Sequence, residues 1–249
     1  MALTKVTGAG LSNVDGPVGI GIDPDTISNG KAVQVNRTVI NDDDGGSLHI
    51  AQNGYYNSAW KYVENGTAEK ITFASGAISF SNASSNSSGA DASLSWSECM
   101  KIDANGHVTM PKQPAFHAKH DTTTTNFAIN TMHTATFGTE VFDLNGDFAS
   151  NTFTAPVTGK YQLNLIAWFE DVASSADYLQ VEITTSNSRF FGIIDGVGFD
   201  ATVTYLTLPV CVLADMDAND TAIVRYWQSQ GDAQIDLGQY TTFSGYLVC

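Results

Sequence analysis

Positive charge is scarce in this 249-residue chain: Lys and Arg number 11 against 26 Asp and Glu, for a formal net charge of −15. A field of that sign repels phosphate, which excludes general nucleic-acid binding and docking on anionic lipid. Glutamate is also sparse, at 6 residues against 20 Asp. Glu favours helices and Asp favours turns and caps, so the acids lean away from helical structure. Only three cysteines are present, Cys99, Cys211 and Cys249. They are odd in number and far apart, which excludes a disulfide framework and any paired metal-ligand spacing. Reduced thiols in a protein made in a cytoplasm are expected, with Cys249 the position for accidental intermolecular pairing. No long apolar run follows Met1-Ala2-Leu3-Thr4-Lys5, so neither a secretory signal nor a membrane-inserting span is expected there. Asn-x-Ser/Thr triplets at Asn36, Asn65, Asn82, Asn86 and Asn219 then mark only a polar surface.

Apolar residues make up 43% of the chain, enough for a core and too many for wholesale disorder. With 22 Gly and abundant Ser, Thr and Asn, the composition points to short strands and frequent turns. Residues 1–40 are turn-rich, with brief alternations such as Val18-Gly19-Ile20-Gly21-Ile22 and Ala32-Val33-Gln34-Val35, too short to bury a face alone. Residues 41–113 open on the acidic turn Asp42-Asp43-Asp44-Gly45-Gly46. Four-residue runs follow, Ser47–Ile50, Trp60–Val63, Lys70–Phe73 and Ala77–Phe80, each alternating with period two. Residues 81–92 are nearly all Ser, Asn, Gly and Ala and are expected to form a loop. Met100–Asp103 closes on Asn105-Gly106, a hairpin signal, and Pro111 and Pro114 mark a boundary. Gly19–Pro24 and Gly106–Pro111 read as two similar strand-and-exit units.

From residue 114 to 249 the strands lengthen. Tyr161, Leu163, Leu165, Ala167 and Phe169 share one face; Leu179, Val181 and Ile183 another; Leu206, Leu208, Val210 and Val212 a third. Ala222–Trp227 and Phe243–Val248 complete the set. No window sustains the i, i+3, i+4, i+7 pattern of a helix, so an all-β chain with a sandwich or jelly roll is expected.

Two resemblances bear on these halves. The run Phe142, Phe148, Phe153-Thr154-Ala155-Pro156-Val157-Thr158-Gly159-Lys160-Tyr161 resembles the central signature of the complement globular-head domain. Asn219-Asp220 before a late strand and Phe243-Ser244-Gly245-Tyr246-Leu247 at the end follow in that family's order. The resemblance implies a ten-stranded jelly roll of the tumour necrosis factor superfamily type, assembled as a homotrimer. In residues 1–113, Gly19–Ile22, Tyr55-Tyr56 with Trp60-Lys61-Tyr62, and Trp96–Gly106 resemble segments of bacteriophage tail-fibre proteins. That resemblance implies a virion-attachment segment (1–40) and a short-stranded trimeric β stalk (41–113) before a head (114–249). Strands too short to cover their own faces need neighbours, which identical chains can supply.

Catalytic motifs are missing. Gly19 and Gly21 have Pro24 where a third nucleotide-loop glycine belongs, and neither His-Glu-x-x-His nor Gly-x-Ser-x-Gly occurs. Asp215-x-Asp217-x-Asn219 starts like a calcium loop but has Asp220 at the glycine position and Tyr226 at the final carboxylate position, so a hairpin turn is expected. A solvated turn outweighs a cation at Asp42–Asp44, and for His117 and His120, on opposite sides of a strand, an exposed pair at a domain entrance is expected rather than a metal ring on a three-fold axis. Trp168 and Trp227 are expected in the core. No enzyme activity, cofactor or metal is expected. The sequence reads as a virion fibre whose head binds a host-surface polysaccharide or outer-membrane protein through the loops 171–178, 186–200 and 228–241. Tyr178, Asn187, Arg189, Phe190, Phe199, Gln230 and Tyr240 are the candidate contacts, because loops on a rigid sandwich vary without disturbing the core. The alternative is a purely structural virion protein, such as a head fibre, capsid decoration or tail adaptor.

Overall fold

Period-two alternation is carried into 22 strands in a computed structural model that describes residues 18–20, 31–43 and 45–249. The chain divides into two units, residues 1–112 and 113–249. The first holds β1 (Val18–Ile20), β2 (Lys31–Val35), β3 (Thr38–Asp42), β4 (Ser47–Gln52), β5 (Gly54–Tyr56), β6 (Trp60–Tyr62), β7 (Gly66–Ala74), β8 (Ala77–Asn86), β9 (Ser97–Ile102) and β10 (Val108–Thr109). The second holds β11 (Ala115–Lys119), β12 (His133–Thr134), β13 (Thr139–Asp143), β14 (Phe148–Ala149), β15 (Thr152–Thr154), β16 (Gly159–Val172), β17 (Tyr178–Thr185), β18 (Arg189–Asp195), β19 (Val203–Met216), β20 (Thr221–Ser229), β21 (Asp236–Leu237) and β22 (Thr242–Leu247). The chain is nearly all β, with a single short 3₁₀ turn at Gly196–Gly198 among the described residues.

In the first unit, eight strands form one sheet in the order β1-β2-β3-β4-β7-β8-β9-β10. Residues 40 and 41, where the sequence suggests a division, lie side by side within β3. The residues expected to loop from 81 onward instead extend β8 to Asn86, because ladders to β7 and β9 satisfy its backbone whatever its side chains. Asn105-Gly106 makes the expected hairpin: Gly106 has φ +86° and the Asp103 carboxylate accepts the amide hydrogens of Asn105 and His107. One face of this sheet is covered by the β5–β6 hairpin, whose Tyr55 and Tyr62 are buried. Asn53, wholly buried, fixes the hairpin's entry; its Oδ1 accepts from Glu64 N and its Nδ2 donates to Thr67 O, both at 2.9 Å.

Among the described residues nothing comparable covers the opposite face. Cross-strand register aligns Val33, Ile40, Ile50, Ile71, Phe80 and Met100 in one row. A second row on the same face runs Leu48, Phe73, Ile78, Ile102 and Val108. Val33, Ile40, Leu48, Ile50, Phe73, Phe80 and Val108 are 36–54% exposed. An antiparallel sheet with one wet face normally turns polar residues outward; this one turns out aliphatic and aromatic side chains.

The second unit is a sandwich. One sheet runs β13-β11-β22-β16-β19 with β21 on β16, and the other β14-β15-β20-β17-β18 with β12 on β20. From β15 to β22 the chain shuttles between the sheets, which is jelly-roll connectivity. The inner faces meet over Tyr161, Leu163, Leu165, Phe169, Leu179, Ile183 and a phenylalanine cluster. Phe116 stacks on Phe148 and Phe153 at 5.0 and 4.7 Å and meets Phe243 edge-on at 5.0 Å. Each such ring contributes roughly 1.5–3 kcal/mol of burial. Phe142, grouped with Phe148 and Phe153 in the sequence signature, lies on β13 and is exposed on the outer face, edge-on to His117. The Gly-x-Tyr element has a packing cause: a Cβ on Gly159 would lie 2.6 Å from both Cys249 O and Leu247 Cδ1. The Tyr161 hydroxyl donates to Val157 O at 2.7 Å. Pro209 sits in β19, an edge strand, the place in a sheet where a residue without an N–H is tolerated. The unit's first and last strands are neighbours, with Ala115 opposite Tyr246 and Leu247 N donating to Pro114 O.

Candidate functional site

The expected binding residues fall into two groups at opposite ends of the sandwich. β17 starts at Tyr178, opposite Asp195 of β18, and ends near Thr184, opposite Arg189. At ~3.3 Å per residue these ends are roughly 20 Å apart. Tyr178, Phe199, Gln230 and Tyr240 belong to the first end; Asn187, Arg189 and Phe190 to the second.

At the second end Asn187 and Phe190 line a cleft of about 390 Å³, with Thr185, Ser188, Leu213, Asp215 and Asp217. The Asn187 amide donates to Asp220 Oδ2, and Lys160 pairs with Asp215. The expected hairpin turn at Asp217–Asp220 is present: Asp217 N donates to Asp220 Oδ2 at 2.8 Å, and Asn219 has φ +76°. Arg189 lies outside this cleft. Its Nε and Nη2 donate to Glu182, which is fully buried and also accepts from Gln180 and Thr184. Phe190 and Phe199 are half-buried against the core.

At the first end, Tyr240 joins residues that sequence reading assigned elsewhere. Trp168 and Trp227, expected in the core, instead sit on outer faces, half-buried. Strand alternation decides this: Ala167 and Phe169 point inward, so Trp168 cannot. Trp168 lies 5.4 Å from Tyr205 and 5.5 Å from Tyr240, and its Nε1 donates to Glu170 Oε1 at 3.0 Å. Lys119 Nζ lies 5.8 Å from the Tyr240 ring. The same outer face carries exposed Ile166, Leu213 and Tyr246. Gln230 is exposed with φ +56°, and its backbone N–H donates to Asn130 Oδ1.

The first unit gathers aromatics that the sequence shows only as isolated residues. Trp60 and Trp96 pack edge to face at 5.4 Å, and Lys70 Nζ lies 4.4 Å from one ring centre and 4.8 Å from the other. Burial pushes the Lys70 ammonium down to about 8. His49 meets Trp60 edge-on at 5.2 Å. Burial, then the Lys70 charge, holds its imidazole below the ordinary 6.5, while Asp43 acts in the opposite direction. Of the acidic run Asp42–Asp44, Asp44 lies outside the described residues. The Asp43 Oδ1 accepts the amide hydrogens of Gly45 and Ser47, and these bonds lower its carboxyl. His117 and His120 are not the expected exposed pair: His117 points outward, but His120 is buried, its ring engaged by Thr124 and the Thr136 carbonyl. Among the described residues no three His, Cys, Asp or Glu side chains gather as metal ligands, and no helix is long and apolar enough to cross a membrane.

No family model matches the chain, and no curated protein does. Solved structures similar to it include the globular domain of zebrafish complement 1qA protein, at 18% identity over 55% of this chain and 98% of that one, with TM-score 0.40. Murine APRIL is similar at 14% identity over 55% of this chain and 100% of the other, with TM-score 0.41. The jelly-roll assignment above rests on strand order and register.

Proposed function

We propose that this chain is a non-enzymatic, self-associating fibre protein of a bacteriophage virion. In this reading the first unit is the stalk and the jelly-roll unit binds a host-surface polysaccharide or outer-membrane protein. The observation that carries it is the apolar face of the eight-stranded sheet, which no described residue covers. Soluble monomers rarely leave contiguous apolar surface of that extent in water. The occupant that suits it is the same face of further copies. No side chain is charged along the first row from Val33 to Met100 or along the second from Leu48 to Val108; the second row reaches charge only at its far end, where Leu48 is followed by the Asp42–Lys31 pair, and Gln52–Glu69 lies in the next row. Copies that each carry −15 repel least where they meet without charge. The outer face of the β16–β19 sheet, with Ile166, Leu213, Tyr205 and Tyr246 exposed, offers a second such surface.

Three-fold symmetry, the virion and the host receptor come from the sequence resemblances. Weak head contacts repeated across three copies gain avidity of ~10²–10⁴-fold where geometry allows. The test is a pair of measurements on the full chain. Light scattering at micromolar concentration should give three times the monomer mass, and saturating protein should block adsorption of the parent phage. A stable monomer overturns the assembly, and undiminished adsorption overturns the receptor role.

A further inference from the structure

A small pocket opens on the hairpin side of the first unit's sheet. It has a volume of about 180 Å³ and is lined by Asn41, Asp43, His49, Tyr56 and Trp60. Three elements build it: β3 and the turn after it, β4, and the β5–β6 hairpin. Tyr56 and Trp60 form two apolar walls, their rings 5.8 Å apart and inclined at 73°. The floor is polar. Asp43 Oδ1 is held by the turn amides, while Oδ2 lies 3.6 Å from His49 Nε2, beyond hydrogen-bond distance. His49 Nδ1 is engaged by Thr72 Oγ1 at 3.1 Å, which fixes the ring and leaves Nε2 on the pocket side.

The chemistry selects a ligand class. A volume below the ~300–1,000 Å³ of drug-sized sites admits one small ring. An anion meets the Asp43 carboxylate and a chain of net charge −15. A cation competes with Lys70, whose ammonium already lies 4.4 Å from the Trp60 ring centre. A neutral molecule remains, with hydroxyls for Asp43 Oδ2 and His49 Nε2 on one side and C–H surface for two aromatic rings on the other. We propose that this pocket binds one neutral pyranose unit of a glycan. His49 and Asn41 alternate along their strands with the outward Ile50 and Ile40, so the pocket stays open when the apolar face is covered. The inference needs only the folded first unit and stands apart from the fibre reading.

The test uses the full chain labelled with 5-fluorotryptophan, whose four tryptophans give four fluorine signals. Trp60→Phe assigns the pocket signal. Methyl glycosides of glucose, galactose, mannose and N-acetylglucosamine are titrated to about 50 mM, with affinities near 1 mM expected for a single sugar ring. At least one should shift the Trp60 signal saturably while leaving Trp168 and Trp227 in place. Asp43→Asn and Tyr56→Ala should each weaken that response about tenfold with unchanged circular dichroism. His49→Gln keeps the test decisive if loss of the Asp43 turn unfolds the unit. No saturable shift with any glycoside overturns the proposal. So does a response that survives all three substitutions, or a stronger response to tetramethylammonium or phosphate.

Discussion

Arg189 caps Glu182: its Nη2 reaches Glu182 Oε2 at 2.5 Å and its Nε reaches Oε1 at 3.2 Å, over a carboxylate with no solvent exposure. Removing one partner of a buried charge strands the other. Arg189→Ala should therefore destabilise the second unit by about 2 kcal/mol, with Glu182→Gln in the same chain recovering part of the loss. Urea unfolding of the single and double variants measures it. An unchanged midpoint for Arg189→Ala would assign the arginine to surface contacts alone.

Gly245 is an equally local case. A Cβ there would lie 2.6 Å from Leu163 Cδ2 and 2.8 Å from Phe116 Cε1. Overfilling a packed core costs roughly 1–3 kcal/mol, so Gly245→Ala should lower the thermal midpoint of the second unit. Phe116→Leu should relieve part of that strain when combined with it.

Acid should weaken the first unit through His49. Its imidazole is held below the ordinary 6.5 by burial and by Lys70. Between the folded value and 6.5 the unfolded chain therefore binds more protons, and stability rises with pH across that interval. Stability contributed above 6.5 is lost as pH falls through it. Nitrogen NMR of the imidazole should show Lys70→Met moving the titration upward and Asp43→Asn moving it downward.

Ile50 sits mid-row on the uncovered face, and a lysine there should break self-association without unfolding the sheet. Sedimentation of Ile50→Lys should show single chains with native circular dichroism. An unaltered assembly would locate the contacts elsewhere.

Thiol labelling separates the two candidate faces. Cys211 is exposed on the outer side of β19, opposite Asn164, and Cys249 is exposed at the chain end. If the sandwich face is covered in the assembly, iodoacetamide should modify Cys249 at least tenfold faster than Cys211. Equal rates would leave that face bare.

The second unit was largely legible because long strands with an apolar core on one side repeat every second residue, as in Tyr161, Leu163 and Leu165. The same rule, applied to Trp168, would have placed it outside; its place in a strand among apolar alternates suggested core. In the first unit the four-residue runs were visible, but the length of β8 was not, since Ser81–Asn86 owes its extended form to ladders with β7 and β9. The candidate contacts scattered because consecutive hairpin turns lie at opposite ends of an antiparallel sheet, and a loop's composition does not say which end it occupies. The Trp60–Lys70–Trp96 stack and the Asp43–His49 pocket join residues from separate strands, so only register brings them together.

Pairing of β11 with β22 puts the second unit's start and finish on adjacent strands, Ala115 beside Tyr246. A module whose two ends emerge together can be spliced into a surface loop of an unrelated protein with short linkers. Recombination could likewise exchange it as a single cassette without rethreading the host chain.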